Sequence, residues 1–293
     1  MQSIILSGGL GSRLGPVTSV VSKQLLPVYD KPLIYYPLTT AILSGSKKIV
    51  LVTNADSIDV YKKLLGNGNR WGLTLEYAPQ EFPNGIPEAF IIAQPYMDES
   101  KGVTLFLGDN LLYGSGAGQQ LFEGWDENRA RIFGSKVSNP EEFGVAELSD
   151  NNEVKQIVEK PSQFVSNVAI PGIYGLPSSV YGRVKMLKRS QRGELEITDL
   201  LRMYMEDSKL EINLLPRGTA WLDTGTPEGL LLASQFVYTI QKRQGVLVGS
   251  PDEAAWRMGL ISESDLMSTA KFYTKSDYGR LLQDLLKLKG MEK

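Results

Sequence analysis

At 293 residues, 42% hydrophobic and 22% charged, the chain has room for one large α/β domain or a main domain with a smaller appendage. A net charge of -2 leaves no basic excess to hold a polyanion, which argues against nucleic acid as a partner. With no cysteine and no histidine, disulfides, Cys/His zinc sites, thiol nucleophiles and His-dependent triads are excluded, so catalysis must run on Asp, Glu, Lys, Arg, backbone amides and an oxygen-liking ion such as Mg²⁺.

In chain order, Ile4-Ile5-Leu6 reads as a buried strand that opens directly into Gly8-Gly9-Leu10-Gly11. The spacing then predicts a helix over Pro32–Leu43, a strand over Ile49–Thr53 and an amphipathic helix over Ile58–Leu65. A strand at Leu73–Tyr77, a helix at Glu88–Tyr96 and a strand at Val103–Leu107 follow, the last ending in Gly108-Asp109-Asn110. This alternation is the pattern of a parallel sheet with crossover helices. Farther on, strands are expected at Arg131–Val137, Val145–Leu148, Lys155–Val158, Val168–Tyr174 and Leu210–Leu215, and helices at Ser179–Arg189, Ile197–Asp207 and Glu228–Gln244. From about Gly249 the chain reads as helical. The expected division is one α/β unit over residues 1–245 and a helical extension over 246–293. The apolar run at the N-terminus is too short for a signal peptide, and no stretch approaches the ~18 residues of a membrane span. A cytoplasmic protein without a membrane partner is expected.

Four segments carry chemistry. The first is Gly8-Gly9-Leu10-Gly11-Ser12-Arg13, with Lys23 beyond it. Glycines admit a phosphate close to the backbone, successive N–H groups form an anion nest, and Arg13 and Lys23 would offset phosphate charge; an ordinary glycine turn with surface cations fits the same residues. The run is neither a P-loop nor a dinucleotide fingerprint: counting from Gly9, Leu14 stands where the third glycine belongs. The second is Asp109, at a carboxyl strand end that suits a Mg²⁺ ligand or a simple Asp-Asn turn. The third is Trp221-Leu222-Asp223-Thr224-Gly225-Thr226-Pro227, where Asp223 offers a second carboxylate and Thr226-Pro227 a helix start. The fourth is Val158-Glu159-Lys160-Pro161, either sugar and phosphate contacts or a charged turn.

Taken together, these segments resemble the sugar-nucleotide pyrophosphorylase family, most of all its bacterial glucose-1-phosphate thymidylyltransferase branch. The carrying runs are Gly8-Gly9-x-Gly11-x-Arg13-Leu14, Ser22-Lys23-Gln24-Leu25-Leu26-Pro27-Val28-Tyr29-Asp30-Lys31-Pro32-Leu33, Leu107-Gly108-Asp109-Asn110, Phe143-Gly144-Val145, Glu159-Lys160-Pro161, Arg192-Gly193-Glu194-Leu195 and Ala220-Trp221-Leu222-Asp223-Thr224-Gly225. The resemblance implies a Rossmann-like nucleotidyltransferase fold: a mostly parallel central sheet flanked by helices, with a helical C-terminal extension. It implies transfer of a nucleotidyl group from dTTP to glucose 1-phosphate with release of pyrophosphate. Arg13 and Lys23 would be catalytic, and Asp109 and Asp223 would ligate Mg²⁺. Gly8, Gly9, Gly11, Gln80 and Gly85 would bind the nucleotide; Asn110, Gly144, Glu159, Lys160 and Tyr174 would bind the sugar phosphate. It also implies that residues 1–245 are a catalytic unit with a nucleotide-binding half (1–110) and a sugar-phosphate half (111–245), and that the protein is a homotetramer under end-product feedback.

The run Pro83-Asn84-Gly85-Ile86-Pro87-Glu88-Ala89 departs from the family's usual Pro-Asp-Gly-Leu-Ala-Gln-Ala, which bears on base choice and keeps a UTP-using relative as the alternative. A non-catalytic sugar-nucleotide sensor or assembly subunit is the alternative of another class. Such a protein is expected to lack one of Arg13, Lys23, Asp109 or Asp223, and this chain has all four.

Overall fold

The computed structural model describes residues 1–9 and 11–291, with side chains through Leu288. Leu10 of the glycine-rich run lies outside the described residues. Strand β1 (Gln2–Ser7) leads through that loop to a short hairpin, β2 (Pro27–Val28) with β3 (Lys31–Pro32), and then to α1 (Tyr35–Leu43). Next come β4 (Lys48–Asn54), α2 (Ile58–Leu65), β5 (Thr74–Gln80), α3 (Glu88–Ala93) and β6 (Val103–Leu107). The middle of the chain holds β7 (Asn110–Tyr113), α4 (Gln119–Phe122), β8 (Ala130–Lys136), β9 (Gly144–Leu148), β10 (Val154–Glu159), β11 (Val168–Ala169) and β12 (Ile173–Leu176). After α5 (Val180–Arg183), α6 (Ile197–Glu206), β13 (Leu210–Leu214) and β14 (Ala220–Asp223), the chain is helical: α7 (Pro227–Gln244), α8 (Pro251–Arg257), α9 (Glu263–Phe272) and α10 (Asp277–Met291).

The central sheet is parallel through β5, β4, β1 and β6. Antiparallel β12 then joins β6 to β8, which carries β13 in parallel on one flank, and β11, β9 and β10 extend the sheet. Both faces of the parallel half are covered, which is why its strands read as unbroken apolar runs. Ile4, Val50 and Val52 face Ala89, Phe90 and Ala93 of α3, while Ile5, Ile49 and Leu51 face Leu38 and Ile42 of α1. Each of these buried branched side chains contributes about 1.5–3 kcal/mol. No helix among the described residues is long and apolar enough to cross a membrane.

Three local expectations change. The helix expected from Pro32 starts at Tyr35, because Pro32 pairs with Pro27 in the hairpin and Leu33 donates to the Leu26 carbonyl. The strand expected over Val168–Tyr174 is broken into β11 and β12. Pro171 lacks an N–H, and a Cβ on Gly172 would stand 2.4 Å from the Leu107 side chain, so that bend belongs to glycine. The helix expected over Ser179–Arg189 is shortened to α5 and one 3-10 turn, with the poor helix former Gly182 in its middle.

The C-terminal helices are tied down by buried charge. Asp252, fully buried in α8, accepts from Arg70 Nη2 (3.0 Å), Trp71 Nε1 (3.0 Å) and the Tyr278 hydroxyl of α10 (2.6 Å). Lys31, also buried, pairs with Asp30 and donates to Gln241 Oε1 and the Val248 carbonyl, both at 3.0 Å.

Candidate active site

The strand order reverses at β1, with β4 on one side and β6 on the other. Open α/β sheets take ligands at the carboxyl ends of strands at such a point. The two loops leaving β1 and β6 meet there: Gly108 N donates to the Leu6 carbonyl at 2.8 Å, and a Cβ on Gly108 would stand only 2.8 Å from that same oxygen. Glycine at 108 is therefore what lets the loop cross the end of β1 and deliver Asp109.

Lys23 is buried, and its Nζ lies 2.6 Å from Asp109 Oδ2, while Asn110 Nδ2 donates to Asp109 Oδ1 at 2.9 Å. Burial pushes the Asp109 carboxyl up, but the Lys23 ammonium beside it prevails and holds it below its ordinary value. Asp223 arrives from far along the chain because β14 pairs antiparallel with β7, setting Asp223 opposite Asn110. Thr224 secures the junction by donating to the Asp109 carbonyl from its hydroxyl (2.8 Å) and its N–H (3.2 Å). Burial and the negative charge of Asp109 push the Asp223 carboxyl up; Lys23, the Gly225 N–H (3.0 Å) and Arg13 pull the other way. A Cβ on Gly225 would stand 3.0 Å from Arg13 Nη2 and 3.1 Å from Asp223 Oδ2, so the exposed guanidinium of Arg13 sits at the same spot.

Beside this cluster, a cleft is lined by Asn110, Gly144, Glu159 and Tyr174, together with Ile86, Phe143, Thr198 and Trp221. The Glu159 carboxyl is pushed up by burial and by Glu196. Burial raises the Tyr174 phenol well above its ordinary range. Lys160 is exposed at a backbone φ of 42°, a left-handed conformation uncommon for a side-chain-bearing residue. On the other side of the glycine loop, buried Gln80 at the end of β5 packs on Gly8, where a Cβ would stand 1.9 Å from Gln80 Oε1. Gly85 has φ +108°, and a Cβ there would stand 2.1 Å from the Leu195 carbonyl. Of the residues expected from sequence, Arg13, Lys23, Asp109 and Asp223 thus converge where β1 and β6 end, Asn110, Gly144, Glu159 and Tyr174 line the adjoining cleft, and Gln80 packs on Gly8.

Two converging carboxylates fit a divalent ion. Asp109 and Asp223 already repel each other, and Mg²⁺ takes one or two carboxylates and completes its shell with waters and phosphates. Groups of three or more Asp or Glu that would form an all-protein cage are absent among the described residues.

A reading of motifs assigns no role to several contributors. Trp221 donates from its indole to Asn110 Oδ1 at 2.5 Å and packs on Phe143 with ring centroids 4.9 Å apart. Trp221 stands in the segment the sequence singles out for Asp223, but nothing local there shows that its indole meets Asn110. Glu88 falls in the 83–89 run that departs from the family's usual one, but the sequence assigns it no role, and Thr198 shows its place only as part of the cleft wall.

The nucleotidyl transferase family model matches residues 2–239, from β1 into α7. The chain belongs to the nucleotidyl transferase family. Among curated relatives, this nucleotidyl transferase is 44% identical to the glucose-1-phosphate thymidylyltransferase of Mycolicibacterium smegmatis over 286 residues, covering 98% of this chain and 99% of that one. It is also 44% identical to the glucose-1-phosphate thymidylyltransferase of Neisseria gonorrhoeae over 287 residues, with the same coverage. Among solved structures, a candidate glucose-1-phosphate thymidylyltransferase from Bacillus anthracis, in complex with a sucrose, superposes with a TM-score of 0.74 at 32% identity, covering 80% of this chain and 94% of that one. A UDP-glucose pyrophosphorylase complexed with UDP-glucose shares the fold, at a TM-score of 0.72 and 22% identity, over 81% of this chain and 98% of that one.

Proposed function

We propose that this nucleotidyl transferase transfers the nucleotidyl group of dTTP to glucose 1-phosphate, giving dTDP-glucose and pyrophosphate. The observation that carries the reading is the convergence of Lys23, Asp109, Asp223 and Arg13 where β1 and β6 end. The 44% identity to thymidylyltransferases along their whole length supports the substrate pair. An oxygen of the sugar phosphate attacks the α-phosphorus in line, that P–O bond forms, the α–β phosphoanhydride breaks, and pyrophosphate leaves with the electron pair.

No general base is needed, because the nucleophile is already an anion. Catalysis then rests on positioning and on charge. Arg13, exposed at the loop, neutralises the triphosphate, and Lys23 offsets charge developing towards the leaving group. The N–H groups of Gly8, Gly9 and Gly11 cradle the phosphates. Gln80 and Gly85 contact the base. Asn110, Gly144, Glu159 and Tyr174 hold the sugar, and Lys160 its phosphate. Asp109 and Asp223 are the residues that would hold Mg²⁺, which when bound supplies positive charge to the triphosphate. Residues 1–245 form the catalytic unit and 246–293 an extension serving subunit contacts in a cytoplasmic homotetramer under end-product control.

The test is pyrophosphate release with glucose 1-phosphate, offering dTTP, UTP, CTP, ATP or GTP, with Mg²⁺ and with the ion chelated. Turnover with dTTP that vanishes on chelation is expected. Higher turnover with UTP would replace the thymidylyl reading by a uridylyl one, and no turnover with any triphosphate would overturn the transfer reading.

A further inference from the structure

Glu88 does not line the cleft, yet it ends a chain of hydrogen bonds whose direction is forced at every link. Arg189 Nη1 donates to Asn84 Oδ1 at 2.9 Å. Asn84 Nδ2 donates to Glu88 Oε1 at 2.7 Å, and Gln80 Nε2 donates to Glu88 Oε2 at 2.9 Å. An amide can in general be turned end for end, but a guanidinium only donates and a carboxylate only accepts. Arg189 therefore fixes which end of Asn84 faces it, and Glu88 fixes which end of Gln80 faces away. The end left over is the Gln80 carbonyl oxygen, packed over Gly8 of the phosphate loop. No protein donor reaches that oxygen among the described residues.

We propose that Glu88 is a positioning residue for base choice: by holding the Gln80 amide it presents a lone acceptor to the nucleotide, and so selects pyrimidines that carry an N3–H, thymine and uracil, over cytosine. Thymine and uracil donate from N3; the N3 of cytosine is itself an acceptor and would meet the Gln80 oxygen lone pair to lone pair. The inference deepens the function proposed above and rests on Gln80 meeting the base. It is specific to this chain's own residues: the acid and amide at 84 and 88 are exchanged relative to the usual family run.

The exchange makes the variants predictive. With Glu88→Gln, residue 88 keeps one acceptor, and Asn84, held by Arg189, takes it. The NH₂ of the new glutamine then faces Gln80, whose amide turns over and offers its own NH₂ to the base. With Asn84→Asp and Glu88→Gln together, the new aspartate accepts from Arg189 and from the new glutamine, whose carbonyl again takes Gln80 Nε2. The wild-type orientation returns.

Dissociation constants for dTTP and dCTP are measured by calorimetry on the full chain, which separates base choice from turnover. Wild-type protein is expected to prefer dTTP. Glu88→Gln is expected to cut the dTTP:dCTP preference by roughly tenfold or more, the worth of one buried polar mismatch, and the double variant to restore it. If Glu88→Gln does not fold, Glu88→Met, which also frees the amide, carries the same expectation. An unchanged preference in a folded Glu88 variant, no recovery in the double variant, or no dTTP preference in the wild type overturns the proposal. An intact, Glu88-dependent preference without turnover supports it and counts against the transfer reading alone.

Discussion

Asp223 stands across the β7–β14 pair from Asn110, the residue next to Asp109, so strand pairing rather than chain proximity brings the second carboxylate to the first. The arrangement has an energetic consequence. Asp109 rests against Lys23, whereas Asp223 is left to bear burial and the repulsion of its neighbour. The two carboxyls are displaced in opposite directions, Asp109 down and Asp223 up.

Asp223→Asn is expected to separate stability from activity. A carboxyl whose folded pKa is raised contributes stability below its unfolded pKa and loses it as pH rises through the folded value. At pH 7 the charged Asp223 is therefore a liability, and asparagine keeps an oxygen for the Gly225 N–H. The metal-free variant should melt about 2–4 °C higher at pH 7, while pyrophosphate release falls by on the order of 10²-fold. A lower melting temperature would refute the electrostatic account.

Asp109→Ala is expected to do the reverse. Its folded pKa is depressed, so it contributes stability above the unfolded carboxylate pKa, and that contribution is lost as pH falls through the folded value. Alanine leaves the Lys23 ammonium buried without its partner, at about 3 kcal/mol. Urea unfolding at pH 7 should register this loss, and adding Lys23→Met should recover a good part of it.

Gly8→Ala should act on the nucleotide alone. The new methyl group would overlap Gln80 Oε1, the movable end of a side chain, so the amide shifts rather than the sheet. The KM for dTTP is expected to rise about tenfold or more, from the loss of one buried hydrogen bond, with the KM for the sugar phosphate little changed. Equal rises in both would place the strain elsewhere.

Asp252→Ala should loosen the C-terminal helices. It strips three donors, on Arg70, Trp71 and Tyr278, of a fully buried acceptor, a loss of about 3–5 kcal/mol. Hydrogen exchange should show α10 losing protection well before β1 and β4.

Much of this protein is legible in the amino-acid order. Ile4-Ile5-Leu6 and Ile49–Val52 announce doubly buried strands because both faces of a parallel sheet are apolar, and the absence of histidine and cysteine removes thiol, imidazole and Cys/His zinc chemistry. The glycine-rich loop after β1 is visible because Gly8, Gly9 and Gly11 cluster directly behind an apolar strand. The hairpin that displaces Pro32, the bend at Pro171-Gly172 and the four-residue strands β7 and β14 are not visible, since periodicity needs more residues than they contain. Local order thus determined the elements, the loop and the kind of chemistry. Only the tertiary structure decided that Asp223 meets Asp109 and that Arg189, Asn84, Glu88 and Gln80 form one directed chain. Both depend on sheet register and side-chain direction across long separations in sequence, and neither leaves a periodic mark in the residues that carry it.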